Sequence, residues 1–501
     1  MTARALVLAL AAASAWPGGA ARAEDPPRRL GLRDALAAAV RGNPRIVAAS
    51  IDLDVAEDRV AEARGARGAV LTLTAGGTVA RTDPVPGEIF QRLATDAVTV
   101  GGVVKQPLDD GSTLSVGFDQ GVTRQTSRLE SNGSREDATD TVFAPIVKLG
   151  LVHPFLRGAG AEAALAGPHR AAVACDAAAL EREAIATDVV RQVIQAYWEV
   201  VAARRELDIQ RASVALARDQ LHVVRVAVAA GTVPADAAVE VEAALALREE
   251  NELVAEGALV ERSLELRRLA GLELGPGELT IEPTETIPAA PAAEADASPD
   301  AAVARALAQN ARLLALRARA RGATIDVDVA EDAARPQLDL ALSASASGNA
   351  ATAGDAFNHL ASYGGLRVDA SVTYSAPLPS EGPRATRSAA RRALARARID
   401  VADLEAQTTV AVVRAANKVR LARKRIETLA KSAELAEVNL RGEQQRWQAG
   451  QSRTFDVLRR QSELAEARLR SSRAHIDHQE ALADLQALTG DLMTAHGVTL
   501  K

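Results

Sequence analysis

The side chains best equipped for chemistry are seven histidines, one cysteine and a run of spaced charge behind a glycine. The histidines are His153, His169, His222, His359, His475, His478 and His496. They form no His-Glu-x-x-His pair, and no carboxylate cluster at ligand spacing accompanies them. His475 and His478 stand three apart, which on a helix is compatible with a metal-binding pair, although a solvated helix face is the commoner origin. Cys175, beside Asp176, has no partner for an internal disulfide and reads as a small buried helical residue. GLELGPGEL (271–279) lacks the Lys-Ser/Thr of a phosphate-binding loop, and Met493 is the only methionine besides the initiator, too few for a thioether ladder. No catalytic, cofactor or metal site is therefore assigned. What remains is the charge spaced by threes in WQAGQSRTFDVL (447–458), at Arg453, Asp456 and Arg459. Asp456 follows a glycine break at the start of a helix, where a carboxylate favours the helix dipole.

That break belongs to a larger plan. Among the 501 residues 48% are apolar but only 2% aromatic, so the apolar fraction is mostly Ala, Leu and Val, suited to closely packed helices. Residues 1–23 read as a secretory signal: Arg4, the apolar ALVLALAAASAW (5–16), and Ala21-Arg22-Ala23 as the cleavage site. Its apolar run is too short to span a membrane. The formal charge of −6 makes nucleic acid a poor partner. No later apolar run reaches transmembrane length, so any membrane span would have to be built of β-strands.

Two copies of one unit follow. NPRIVAASIDLDVAEDRVAEARGARGAVLTLTA (43–75) aligns without gaps on NARLLALRARARGATIDVDVAEDAARPQLDLAL (310–342), an offset of 267. At an offset of 219, Gly231 falls on Gly450, Leu245 on Leu464, and Leu269-Ala270-Gly271 on Leu488-Thr489-Gly490. The first repeat spans 24–271, with a helix over 32–66, strands over about 69–154 and helices over about 161–271. A proline-rich linker (272–300) leads to the second repeat, 301–490, with a helix over 301–333, strands over about 337–377 and helices over about 382–489; 491–501 is a tail. Each long helix reverses at a glycine, Gly231 or Gly450, which supplies the left-handed conformation that ends a helix. The predicted product is a pair of long antiparallel coiled-coil hairpins. Leu71 and Leu73, Leu338 and Leu340, and Leu366, Val368 and Val372 alternate with polar residues, as in a barrel wall wet on one side. A soluble sheet with one face on a core gives the same pattern. The first repeat has surplus length containing another plausible hairpin, VTVGGVVK (98–105) and TLSVGFD (113–119), either a widening of the wall or an external cap.

The duplicated helix–strand–helix order, the HPFLRGAG segment (153–160) and the two glycine tips resemble the bacterial outer membrane efflux protein (TolC) family. The tips carry Gly231, Glu242 and Leu245 in one copy and Gly450, Asp456, Gln461 and Leu464 in the other. The resemblance implies a mainly α chain with a membrane β-barrel portion, its coiled-coil hairpins forming an α-barrel in a trimeric channel. It implies docking to a periplasmic adaptor (membrane fusion) protein and an inner membrane transporter, and a location in outer membrane lipid. It implies that Asp456 faces the lumen as part of an acidic ring, that Trp447 packs the closed tip, and that Gly231 and Gly450 mark the docking end. The family pattern has a second acid where this chain has Arg459, which suggests a ring of mixed sign, Asp456 paired with Arg459 or Arg453; the first copy offers Asp236 one residue out of register. Physics favours oligomers too, since four strands cannot close a barrel whereas three copies reach twelve, or eighteen if the surplus hairpin joins. Two other classes remain open. A periplasmic adaptor or scaffold would have one hairpin flanked by small β-domains, and an exported enzyme would need a polar cluster.

Overall fold

The computed structural model describes residues 28–85, 88–131, 134–272, 279–286, 298–378 and 381–500. The expected signal segment, and 273–278 and 287–297 of the linker, lie outside them. The described chain begins with strand β1 (Arg28–Leu30) and helices α1 (Leu32–Gly42) and α2 (Pro44–Gly65). Four strands follow, β2 (Val70–Arg81), β3 (Phe90–Pro107), β4 (Thr113–Ser131) and β5 (Ser134–Pro154). The hairpin of α3 (Ala161–Ala229) and α4 (Asp236–Leu269) ends the first repeat. After β6 (Ile281–Pro283) the second repeat runs α5 (Pro299–Gln309), α6 (Ala311–Ala333), β7 (Gln337–Ser347), α7 (Ala353–Ala361) and β8 (Gly365–Ser375). It closes with α8 (Glu381–Gln448), α9 (Thr454–Thr489) and the single turn α10 (Leu492–Ala495).

Three features depart from the sequence expectations. The first helix of each repeat is two helices, broken at Asn43 and at Asn310, whose backbones are extended. Asn43 Oδ1 accepts from Arg45 N at 2.9 Å and Asn310 Oδ1 from Leu313 N at 3.1 Å, so each side chain caps the next helix. Each amide nitrogen then donates to the carbonyl ending the returning hairpin, Leu269 O at 2.7 Å and Leu488 O at 3.0 Å. A capping asparagine is a local signal that the helical composition on both sides masks. Second, the linker is more than a connection, because its strand β6 pairs in parallel with β1. Third, α7 lies in the stretch expected to hold strands only.

At 69 and 68 residues α3 and α8 are each about 100 Å long. Pro168 lies inside α3 and cannot donate to the Ala164 carbonyl. Arg67 Nη1 donates to that carbonyl instead, at 2.6 Å, so the helix continues. Both hairpins turn by one device. Gly231 and Gly450 have φ of +74° and +72°, while Thr232 N donates to Ala227 O at 3.0 Å and Gln451 N to Arg446 O at 2.9 Å. The motif recurs where the hairpins return: Gly271 and Gly490 are left-handed, with Leu272 N on Arg267 O and Asp491 N on Gln486 O, both 3.0 Å. The largest core sits at this midpoint, where Leu36, Val193, Tyr197, Leu266, Ile476 and Leu492 are buried together.

The six longer strands form one antiparallel sheet, ordered β2-β3-β4-β5-β7-β8. The surplus hairpin of the first repeat is β3 and β4, inserted inside the sheet rather than capping it. Register places Leu73, Gly102, Phe118 and Val147 in one line across four strands, and Leu342 with Ala370 on the same face farther along. The opposite face carries Thr72, Asp119, Lys148, Ser343 and Asp369, with Lys148 Nζ 2.7 Å from Asp119 Oδ2. The apolar face is open: Leu73 is 75% exposed and Val368 71%. Helix α7 rests on part of it, Phe357 stacking on Phe118 with ring centroids 6.3 Å apart.

Candidate functional site

Two ends of the molecule offer sites, the hairpin tips and the sheet. At the tips Trp447 is the organising side chain. It packs against Leu221, Val224, Val241 and Leu458, and also against Leu440, Val457 and Leu464, so it joins the two hairpins. Its indole Nε1 donates to Thr454 Oγ1 at 3.3 Å. Gly231 and Gly450 are exposed at the turns, and Asp236 and Asp456 stand in the first turns of α4 and α9.

Charge pairing at the second tip differs from the expectation. Arg459 Nε lies 3.1 Å from Glu463 Oε1, one helical turn along, and Arg460 Nη1 lies 2.7 Å from Glu463 Oε2. The hydrogen bond from Arg460, with that from Arg459, holds the Glu463 carboxyl below the usual range. Arg459 is thus engaged along its own helix by Glu463, while the Asp456 charge acts on Arg460, four residues on. Arg453 caps α9 with an extended backbone and an exposed side chain. Ser452 Oγ donates to the buried Glu443 at 2.5 Å, tying the tip to α8.

Sequence reasoning missed Arg248. This side chain of α4 is only 6% exposed, yet its Nη1 donates to Gln461 Oε1 at 2.9 Å and its Nη2 to Leu458 O at 3.4 Å, both on α9. Burial lowers its pKa. No carboxylate pairs with it among the described residues. The repeat held the clue: the equivalent position in the second copy is the buried Ala467.

Farther along the helices, Glu199 of α3 and Glu480 of α9 share one guanidinium. Arg473 Nη1 is 2.6 Å from Glu199 Oε1, and its Nη2 is 3.6 Å from Glu480 Oε1. Burial, together with the hydrogen bond to Glu199, pushes the Glu480 carboxyl up to about 7. Burial also acts on Glu199, but the nearer Arg473 outweighs it and keeps that carboxyl below its ordinary value. Of the two carboxyls, the one farther from the guanidinium, Glu480, is the one favoured to take up a proton.

The histidines do not assemble. His478 is 5% exposed, so the expected solvated face is corrected to a buried one, and burial lowers its pKa. Among the described residues no group of three or more His, Cys, Asp or Glu could hold a metal ion. One serine resembles a nucleophile: Ser112 Oγ is 2.7 Å from His153 Nδ1 and 2.9 Å from Asp110 Oδ2. Here both partners bind the same hydroxyl, whereas nucleophilic catalysis requires the carboxylate to orient the imidazole. This trio fastens the β3–β4 turn to the end of β5.

Among the described residues no helix is long and apolar enough to cross a membrane. An exposed apolar sheet face on long helical hairpins is a fold shared with solved outer-membrane channels. The solved outer-membrane channel OprN is similar in structure with a TM-score of 0.66 at 13% identity, over 92% of this chain and 89% of that one. The CmeC outer membrane channel of Campylobacter jejuni is similar at 0.65 and 13%, over 92% and 86%. The outer membrane protein VceC of Vibrio cholerae is similar at 0.64 and 17%, over 94% and 97%. No curated protein matches the sequence. Residues 302–491, the second repeat, match the family model described as outer membrane efflux protein. The second repeat thus matches that family in sequence, and nearly the whole chain shares the fold of these solved channels.

Proposed function

We propose that three copies of this chain assemble around one axis as the exit duct of a tripartite efflux pump or type I secretion system, passively conducting substrates from the periplasm to the exterior. In this reading the sheets form the wall in the outer membrane and the paired hairpins form an α-barrel across the periplasm. The tips at Gly231 and Gly450, with Trp447 between the hairpins, dock a periplasmic adaptor protein that carries the inner membrane transporter. Asp456 lines the aperture with its symmetry copies, and Asp236, Arg453 and Arg459 set the local potential around it. Three carboxylates facing one axis attract cations.

The observation that carries the proposal is the sheet: an apolar face exposed along the strands and two edge strands, β2 and β8, each paired on one side only. In water that face and those edges would drive aggregation; lipid and neighbouring copies supply partners for both. An adaptor with one hairpin between small β-domains lacks such a wall. The test is expression in a Gram-negative bacterium. Expected are outer-membrane fractionation, gel mobility that shifts on heating, and stepwise conductance in planar bilayers. A soluble monomer that leaves bilayers silent would overturn the proposal.

A further inference from the structure

We infer that the membrane wall is an eighteen-stranded barrel, six strands from each copy, sealed where β8 of one copy pairs with β2 of the next. The inference rests on the threefold duct proposed above and adds the strand count, the seam and the width. Three observations carry it.

The first is that β3 and β4 cannot be a cap. β2 pairs with β3 from Val70↔Lys105 to Arg81↔Ala94, and β4 pairs with β5 from Thr113↔Val152 to Ser131↔Ser134. Lifting the hairpin out would strip β2 of its only partner and leave β5 paired only with β7, from Ile146 to Pro154. The second is that the hairpin carries the same two-sided pattern as the rest of the wall. Val98, Val100, Leu114 and Val116 share the apolar face with Leu73, and are 57%, 55%, 41% and 46% exposed. Thr99, Ser115 and Asp119 face the other way, with Lys148. A cap in water has no use for an exposed valine face; a lipid wall requires one.

The third is the match between the free edges. β2 has twelve residues and β8 eleven, and they run in opposite directions through the sheet. Six strands is an even number, so an antiparallel seam repeats around the ring without a parallel joint. Both edges present apolar residues on the same face, Leu71, Leu73 and Val79 on β2 and Leu366, Val368 and Val372 on β8. Helix α7 leans over β5 toward Phe118, away from the β8 edge, and leaves the seam clear.

Width follows from strand number. With strands about 4.8 Å apart and tilted by about 40°, eighteen strands enclose a ring about 36 Å across between backbones, against about 24 Å for twelve. The outer mouth then passes extended or helical polypeptide as readily as small solutes, so discrimination by size lies at the helical tips and not in the membrane.

The test uses the full chain with Cys175→Ser in phosphatidylcholine vesicles, carrying one of Thr99→Cys, Val100→Cys, Ser115→Cys or Val116→Cys. The expected result is alternation on both strands: the cysteines at 99 and 115 react with a charged, water-soluble thiol reagent about tenfold faster than those at 100 and 116, whose attached fluorophores are quenched by brominated lipid. Electron cryomicroscopy of the Cys175→Ser protein in nanodiscs should show eighteen strands. A twelve-stranded ring, or equal aqueous reactivity at all four positions in vesicles that still conduct, overturns the inference and leaves the threefold duct standing. A monomer by native mass spectrometry with no conductance overturns both.

Discussion

The two repeats agree at their midpoints and differ at their ends. Asn43 and Asn310 make the same pair of bonds, capping one helix and holding the last carbonyl of the returning hairpin. Gly271 and Gly490 make the same left-handed exit beside them. At the tips the equivalence stops: Trp447 stands where the first repeat has Val228, Asp456 where it has Ala237, and Ala467 where it has Arg248. In the sheet the first repeat supplies four strands and the second two. The midpoint is held by backbone geometry internal to each repeat, which tolerates few residue types. The ends meet unlike neighbours, so duplicated positions there are free to diverge.

The midpoint equivalence should break hardest at glycine. A Cβ on Gly271 would stand 2.6 Å from the Gly42 carbonyl oxygen, and one on Gly490 would stand 2.9 Å from that of Gln309. Adding the left-handed strain of an L residue, Gly271→Ala should cost about 3 kcal/mol and Gly490→Ala about 2 kcal/mol. Thermal unfolding of the assembled protein measures both, and equal losses would contradict the tighter packing seen at Gly42.

At the tips the comparison should sharpen. Trp447→Ala removes a half-buried indole that two clusters share, and about 2 kcal/mol of local stability is expected to go with it. Val228→Ala should cost less than half of that. Hydrogen exchange at 440–460 should rise in the first variant with little change near Leu36. Arg248→Met tests the neighbouring asymmetry: both it and Arg248→Ala leave Gln461 Oε1 without its donor, but methionine fills the space, so Arg248→Ala should cost more by the cavity it opens. Urea denaturation of both variants decides the point.

Glu480 gives the pH dependence. Its folded pKa of about 7 lies above the value of an unfolded glutamate, so the folded state binds the extra proton between about pH 4.5 and 7. Its contribution is therefore full at low pH and is lost as pH rises through 7. Glu199 works in the opposite sense and loses its contribution on acidification below its ordinary range. Glu480→Gln should flatten the fall in stability from pH 5 to 8, worth about 1–2 kcal/mol, and raise the melting temperature at pH 8. The smallest effect is expected of Asp456→Asn, which should weaken block of conductance by multivalent cations while leaving stability unchanged. Unaltered block would remove Asp456 from the pore lining.

Much of this arrangement was legible beforehand for physical reasons. Helix reversal at Gly231 and Gly450 is a local event, written in a glycine between two proline-free runs. Strand alternation at Leu338 and Leu340 is equally local. The breaks at Asn43 and Asn310 were also local but were hidden, because alanine-rich sequence on both sides carries the helical signal through the cap. Arg248 was legible only through its repeat equivalent Ala467, and Glu480 and His478 were not legible at all. Each lies on a long helix among many charged or polar residues, and only the facing helix decides which of them is buried.

Residue order by itself therefore determined the duplication, the long helices, their turning points and the two-faced strands, since all of these follow from short-range periodicity and backbone preference. Tertiary structure alone decided that β3 and β4 enter the sheet, that Arg248 is buried against α9, and that the Glu480 carboxyl is pushed up beside Glu199. Those outcomes depend on distances between segments far apart in the chain, and local pattern carries no measure of such distances.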